Sequence, residues 1–192
     1  MPQLGALPQQ DYAYDIFLSY TRDHPAGTWV KDRFLKDFRG YLSEELGQRA
    51  RIFFDQEVIQ AGEDWGARLH WGLRHSKVLV AVCSARYFND SEYCEMEWHS
   101  FANRPRVPVR YNDGDRFPAD AKRTQQADFS ECNFLVEAFY RNDQRAVNYE
   151  DNVRKLARAA VAQILNAPPF DPTFPIHLPT KAPSKRMPLP RI

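Results

Sequence analysis

The chain reads as an α/β protein built on a parallel sheet of about five strands with helices on both faces. Short apolar runs at residues 14–20, 51–54, 78–83 and 107–111 have the character of strands buried on both sides. Between them lie stretches whose apolar residues recur at helical spacing, and strands that alternate with helices become parallel neighbours through crossover connections. With 192 residues, 43% hydrophobic and 14% aromatic, the chain can bury one good-sized core, so one domain is expected.

Residues 1–13 are expected to be a flexible N-terminus. Tyr14-Asp15-Ile16-Phe17-Leu18-Ser19-Tyr20 is the first strand, with an apolar centre. Thr28 is the expected N-cap of a helix in which Trp29, Val30, Phe34, Leu35, Phe38, Tyr41, Leu42 and Leu46 recur until Gly47 ends the run. Arg51-Ile52-Phe53-Phe54 is the second strand. Residues 55–64 form a polar loop with one glycine, and a short helix over 65–75 carries Trp65, Leu69, Trp71 and Leu73. Val78-Leu79-Val80-Ala81-Val82-Cys83 is the third strand, followed by a helix that contains residues 91–98. The fourth strand, Val107-Pro108-Val109-Arg110-Tyr111, carries a proline that suits an edge or a strand start.

Residues 112–128 read as a long loop, with a turn signal at Asp113-Gly114, before a short apolar piece near Phe129. A helix is predicted over 133–140. Another, over 149–166, sets Val153, Leu156, Ala157, Ala160, Val161, Ile164 and Leu165 opposite Arg154, Lys155 and Arg158. The composition then changes: Pro168, Pro169, Pro172, Pro175, Pro179, Pro183, Pro188 and Pro190 favour extended, polyproline-like spacing over 167–192. Such a tail fits a linker to a neighbouring domain, a segment gripped by a partner, or a strap lying along the domain itself.

A net charge of +1 carries no polyanion-binding signature, so no direct nucleic-acid partner is expected. Cys83, Cys94 and Cys132 are well separated and fit neither a disulfide framework nor a zinc site, which points to a reducing compartment. His70 and His75 are five apart, the wrong interval for a two-histidine metal face, and no metal site is expected. No apolar stretch approaches the roughly 20 residues of a membrane helix, and the start lacks the regions of a signal peptide. The chain is expected to be cytoplasmic.

Glu97 is the candidate for chemistry. It follows a buried strand and lies on the next helix, where open α/β folds assemble their sites. At helical spacing Cys94, Trp98 and Phe101 face the core. Tyr93 and Glu97 lie one above the other at the edge of that stripe, while Glu92, Glu95 and His99 face solvent. Glu97 is thus either a functional carboxylate at a boundary of core and crevice or a surface charge in an i,i+4 register. Tyr20 and Arg22 fall at the carboxyl end of the first strand, where Arg22 either meets a pyrophosphate or is a solvated loop arginine.

Three groups of residues carry a resemblance. Tyr14 to Tyr20 resembles the first signature box of Toll/interleukin-1 receptor (TIR) domains, and Phe53-Phe54-Asp55 with Gly62 and Trp65 resembles their second strand and following loop. Residues 76–84, then Tyr87, Ser91, Tyr93, Cys94 and Glu97, resemble the third strand and the helix after it. The similarity spans residues 14–166 and implies a flavodoxin-like TIR fold, in a layout similar to the prokaryotic NAD-cleaving members.

Enzymatic TIR domains cleave the nicotinamide-ribose bond of NAD+ with a glutamate at the position of Glu97, so the resemblance implies an NAD+ nucleosidase that gives ADP-ribose or a cyclic isomer. It also implies activation by self-association, in prokaryotic immune or cell-death signalling. NAD+ enters as substrate, and no cofactor is implied. Gln60, Gly62 and Trp65 belong to the loop that covers the site in those enzymes and makes inter-subunit contacts. Trp65 stacks on a base or is the first core residue of its helix, and Tyr93 stands where enzymatic members often have tryptophan.

The chemistry is consistent with a single acid. An ordinary glycoside needs two carboxylates because its leaving oxygen must be protonated. Nicotinamide leaves NAD+ as a neutral base, so one carboxylate facing the developing cation is enough. The alternative the resemblance allows is a non-catalytic assembly module that uses the 55–65 loop as an interface. A response-regulator receiver shares the sheet order but is disfavoured: the first strand ends in Ser19-Tyr20 without an acidic pair, and the third in Cys83-Ser84 without a phospho-acceptor aspartate.

Overall fold

Five strands, β1 (Tyr14–Tyr20), β2 (Ile52–Phe53), β3 (Ser76–Cys83), β4 (Arg106–Arg110) and β5 (Ala127–Asp128), form one parallel sheet in the order β2-β1-β3-β4-β5. The computed structural model describes residues 11–178, except 113, 116, 125 and 137–143. The strand order reverses between β1 and β3, and open sheets of this kind bind ligands at the carboxyl ends of the strands flanking such a switch point.

Strand alternation divides the core into two layers. Ile16, Leu18, Val78, Val80 and Val82 face α1 (Ala26–Trp29), α2 (Leu35–Leu46) and the long C-terminal helix. Phe17, Leu79, Ala81 and Cys83 face the helices that follow β2, β3 and β4. Between α1 and α2 a π-helical turn spans Val30–Phe34, and the run ends at Gly47 with φ 66°. The helix starts before the expected cap, with Thr28 inside it. Its entry is set by the backbone instead, where Gly27 N–H donates to Asp23 O at 2.8 Å and Trp29 N–H to Pro25 O at 3.0 Å.

After β2 comes a single helical turn, α3 (Asp55–Val58), within what reads as loop in the sequence. The next helix, α4 (Trp65–Arg74), is capped by Asp64, whose Oδ1 accepts from Ala67 N–H at 3.0 Å. It lies so close to β2 that a Cβ on Gly72 would fall 2.4 Å from the Phe53 ring. Beyond β3, Ser84 caps α5 (Ala85–Asn89) and Ser91 caps α6 (Glu92–Ser100). The remaining helices are α7 (Ala119–Arg123) and α8 (Gln144–Leu165).

Two local expectations change. Pro108 lies in mid-strand, not at a strand start, and β4 has β3 on one side and β5 on the other. Tyr111 N–H donates to Cys83 O, so odd-numbered residues of β4 face β3 and Pro108 faces β5. The two residues of β5 pair only with Val109 and Arg110, so the missing proline N–H costs no ladder bond. Residues 133–136 are not helical: Asn133 Nδ2 donates instead to Tyr111 O, and the rest of the helix predicted over 133–140 lies outside the described residues.

Both flanks of the domain carry packed residues. Tyr12 is buried and its hydroxyl donates to Pro168 O at 3.0 Å. Phe170 packs edge-on against Tyr12 at 5.4 Å, and Phe174 is buried with Arg104 Cζ 3.6 Å from its ring centre. His177 N–H donates to Ser100 Oγ at 2.9 Å. The segment 167–178 therefore straps the face that carries α4 and α6. The rest of the proline-rich tail, residues 179–192, lies outside the described residues. Among the described residues no helix is long and apolar enough to cross a membrane.

Candidate functional site

Ser19 is the next-to-last residue of β1, on the face shared with Phe17, where the strand pattern otherwise calls for an apolar side chain. A buried hydroxyl there needs partners. It finds two: its proton goes to Glu97 Oε2, and its oxygen lies 2.5 Å from the Tyr87 hydroxyl. Tyr87, on α5, is fully buried, and Glu97, on α6, is only 7% exposed. Three elements thus converge on one polar cluster beneath the carboxyl ends of β1 and β3.

Glu97 has no ion-pair partner among the described residues, and its Oε1 accepts no hydrogen bond from any of them. Burial, against the opposing hydrogen bond from Ser19, pushes its carboxyl up to about 8. Asp55 adds to the rise and Arg22 counters it. A carboxyl pushed up this far is mainly neutral at pH 7.

Around this cluster the other predicted residues fall into two groups. Arg22 Nε donates to Asp55 Oδ2 at 2.8 Å, and Nη2 makes a second bond to the same oxygen. Asp55 Oδ1 accepts from the Tyr20 hydroxyl at 3.0 Å and from Gln56 N–H at 2.9 Å. Burial pushes the Tyr20 phenol far up, so it remains a donor. Arg22 Cζ lies 5.5 Å from the Trp65 ring centre, and Trp65 meets Tyr93 edge-to-face at 4.7 Å. Tyr20, Arg22, Trp65 and Tyr93 are therefore linked in one chain through Asp55, beside Glu97. The loop residues stand apart: Gln60 is exposed, its N–H donating to Glu63 Oε2 at 3.1 Å, and Gly62 is exposed with φ 92°.

Sequence reasoning did not single out Ser19 or Tyr87 as partners of Glu97. The one available signal was that Ser19 interrupts the apolar alternation of its face. Asp55, which the resemblance places at the end of the second strand, gathers Tyr20 and Arg22 at the strand ends. Cys83 and Cys94 are buried, and burial pushes both thiols up, as for small core residues. Among the described residues no group of three or more His, Cys, Asp or Glu side chains is placed to hold a metal ion.

A five-stranded parallel sheet of this order, with helices on both faces and a polar cluster at its switch point, defines a flavodoxin-like α/β domain. The TIR domain family matches residues 16–141, and the chain belongs to that family. The TIR domain of the Toll-related receptor TRR-2 from Hydra magnipapillata is similar in structure, with a TM-score of 0.52 at 15% identity, over 74% of this chain and 98% of that one. The TIR domains of the activated Roq1 resistosome directly recognizing the pathogen effector XopQ align at 17% identity and a TM-score of 0.41, over 80% of this chain and 98% of that one. No curated protein sequence matches the chain.

Proposed function

We propose that this TIR domain is an NAD+ nucleosidase of the prokaryotic type, cleaving the nicotinamide-ribose bond with Glu97 as its catalytic residue. The observation that carries the reading is the state of Glu97: more than nine-tenths buried, at the switch point, with one oxygen held by Ser19 and the other without a hydrogen-bond partner among the described residues. Burial this deep with no ion-pair partner among the described residues disfavours the charged form of an acid, and is useful where a cation must be met.

The chemistry follows from charge. A nicotinamide ring bound beside Glu97 brings a positive charge into a dry site, which lowers the carboxyl's proton affinity and restores the carboxylate. As the glycosidic bond breaks, positive charge moves from the ring to the ribose, and the carboxylate faces it throughout. Nicotinamide departs neutral with the bonding electron pair. Water then adds to the ribosyl cation and loses a proton, giving ADP-ribose; attack by a nucleophile of the same molecule gives a cyclic isomer.

Trp65 and Tyr93 supply an aromatic wall, and Arg22, fixed by Asp55 through Nε and Nη2, keeps Nη1 for a pyrophosphate oxygen. Gln60 and Gly62 lie on the loop that would close over the substrate or contact a second copy. Activity would then depend on self-association, inside the cytoplasm where NAD+ is available. The tail beyond residue 178 would join the domain to a fused or associated sensor or effector domain.

The test is nicotinamide release by concentrated protein, with and without a crowding agent, for wild type and Glu97→Ala. Release that is lost in the variant supports the reading. Release that survives Glu97→Ala removes Glu97 from the mechanism, and no release under any assembling condition points to a non-catalytic assembly module.

A further inference from the structure

Tyr87 and Ser19 are buried hydroxyls in series with Glu97: the Tyr87 hydroxyl lies against Ser19, and Ser19 against the acid. Tyr87 is fully buried and Ser19 is 1% exposed, and each is at hydrogen-bond distance from the next group in the series. A serine hydroxyl has one proton. If it is given to Glu97 Oε2, the Ser19 oxygen is free to accept from Tyr87, and every proton in the series points toward the carboxylate. The reverse order would have Glu97 Oε2–H donate to Ser19 and Ser19 donate to Tyr87, leaving the buried phenol proton without an acceptor. The series therefore has a direction.

We propose that Tyr87 and Ser19 are positioning residues, a one-way donor chain that clamps Glu97 Oε2 against β1 and leaves Oε1 as the face of the acid that binds, titrates and meets substrate. The proposal rests on the NAD+ reading for its catalytic meaning and on geometry alone for its structural meaning. In the clamped arrangement a proton on the neutral acid sits on Oε1, where a bound cation displaces it without any rearrangement of Ser19 or Tyr87. The other groups that act on Glu97 are Cys94 on its own helix, Asp55 on α3 and Arg22 after β1. Of these, Arg22 alone carries a positive charge, and Asp55 already binds it.

The clamp explains why α5 matters to the site at all. Ser84 N-caps this short helix by accepting from Tyr87 N–H at 3.2 Å, and the same Tyr87 sends its hydroxyl to the end of β1. The turn that starts α5 and the orientation of the acid on α6 are thereby tied to one side chain.

Two measurements on the intact chain test this. The first reads the protonated Glu97 carbonyl by infrared difference titration, assigned by its loss in Glu97→Gln, and needs no activity. Ser19→Ala should raise the titration midpoint by about one pH unit, because a donor to the carboxylate has been removed. Tyr87→Phe should move it in the same direction by less. The second reads nicotinamide release. Ser19→Ala should lower kcat about 10- to 100-fold with little change in KM and shift the acid limb of the pH profile upward, and Ser19→Thr, which keeps the hydroxyl, should recover part of the loss.

An unshifted midpoint in folded Ser19→Ala overturns the clamp, whatever the activity. A midpoint shifted in Ser19→Ala, together with a wild-type protein that releases no nicotinamide, leaves the clamp standing and removes the NAD+ reading. A loss of kcat with an unmoved pH profile, or with no recovery in Ser19→Thr, overturns the positioning role.

Discussion

Glu97 couples the site's chemistry to the stability of the fold. Its folded carboxyl titrates near 8, well above its ordinary value of 4.5. Between those values the folded state holds a proton that the unfolded chain releases, so its stabilising contribution is complete below about 4.5 and is lost as pH rises through 8. Wild type should therefore lose stability from pH 5 to pH 9 relative to Glu97→Gln, by an amount on the order of a few kcal/mol. Chemical denaturation of both proteins at the two pH values checks this. Parallel curves would mean that the carboxyl is not held in the protonated state.

Much of this site was legible at the level of residue type and order. Tyr20 and Arg22 could be named because they sit at or just after a strand end, and Trp65, Tyr93 and Glu97 because the helical stripes and the ordered TIR-like boxes mark them. What was not legible was their wiring. Ser19 and Tyr87 reach Glu97 across elements, and whether Arg22 is solvated or paired depends on where Asp55 stands after β2. Depth was also hidden: a residue at the edge of an apolar helical stripe can end in water or under a neighbouring helix, and α5, too short to show a period, decides it here.

At the scale of elements, the docking of α4 on β2 is controlled by Gly72. A methyl group there would meet a Phe53 ring already stacked on Phe17 at 4.9 Å and edge-on to Tyr14 at 5.3 Å, so the ring has little room to yield. Gly72→Ala should cost about 1–3 kcal/mol by overpacking despite alanine's better helix propensity. A shift in denaturation midpoint with an unchanged denaturant slope would register it, whereas an unchanged or raised midpoint would show that the helix moves off freely. Strand boundaries were readable because buried parallel strands are apolar runs. Pro108 was misplaced because the side of the strand that its nitrogen faces depends on register, which no local pattern contains.

The two faces of the whole molecule are held differently. One is covered by long helices; the other is covered by short helices and by the strap at 167–178. Composition marks that segment as extended but does not say what it lies on. Phe174 answers by entering the same core layer as Cys94, Met96 and Trp98 of the Glu97 helix. Phe174→Ala should destabilise the whole domain by about 3 kcal/mol, read as a lower thermal midpoint. A free spacer would show no change, so an unaltered midpoint would contradict the packed strap.

The central claim is that the charge of one buried carboxylate cleaves NAD+. Glu97→Gln keeps the size of the side chain and removes only that charge, which makes nicotinamide release by this variant, side by side with wild type under assembling conditions, the most direct measurement. Release at least about 1,000-fold slower from a folded Glu97→Gln protein is the expected result. Release at the wild-type rate would contradict the account.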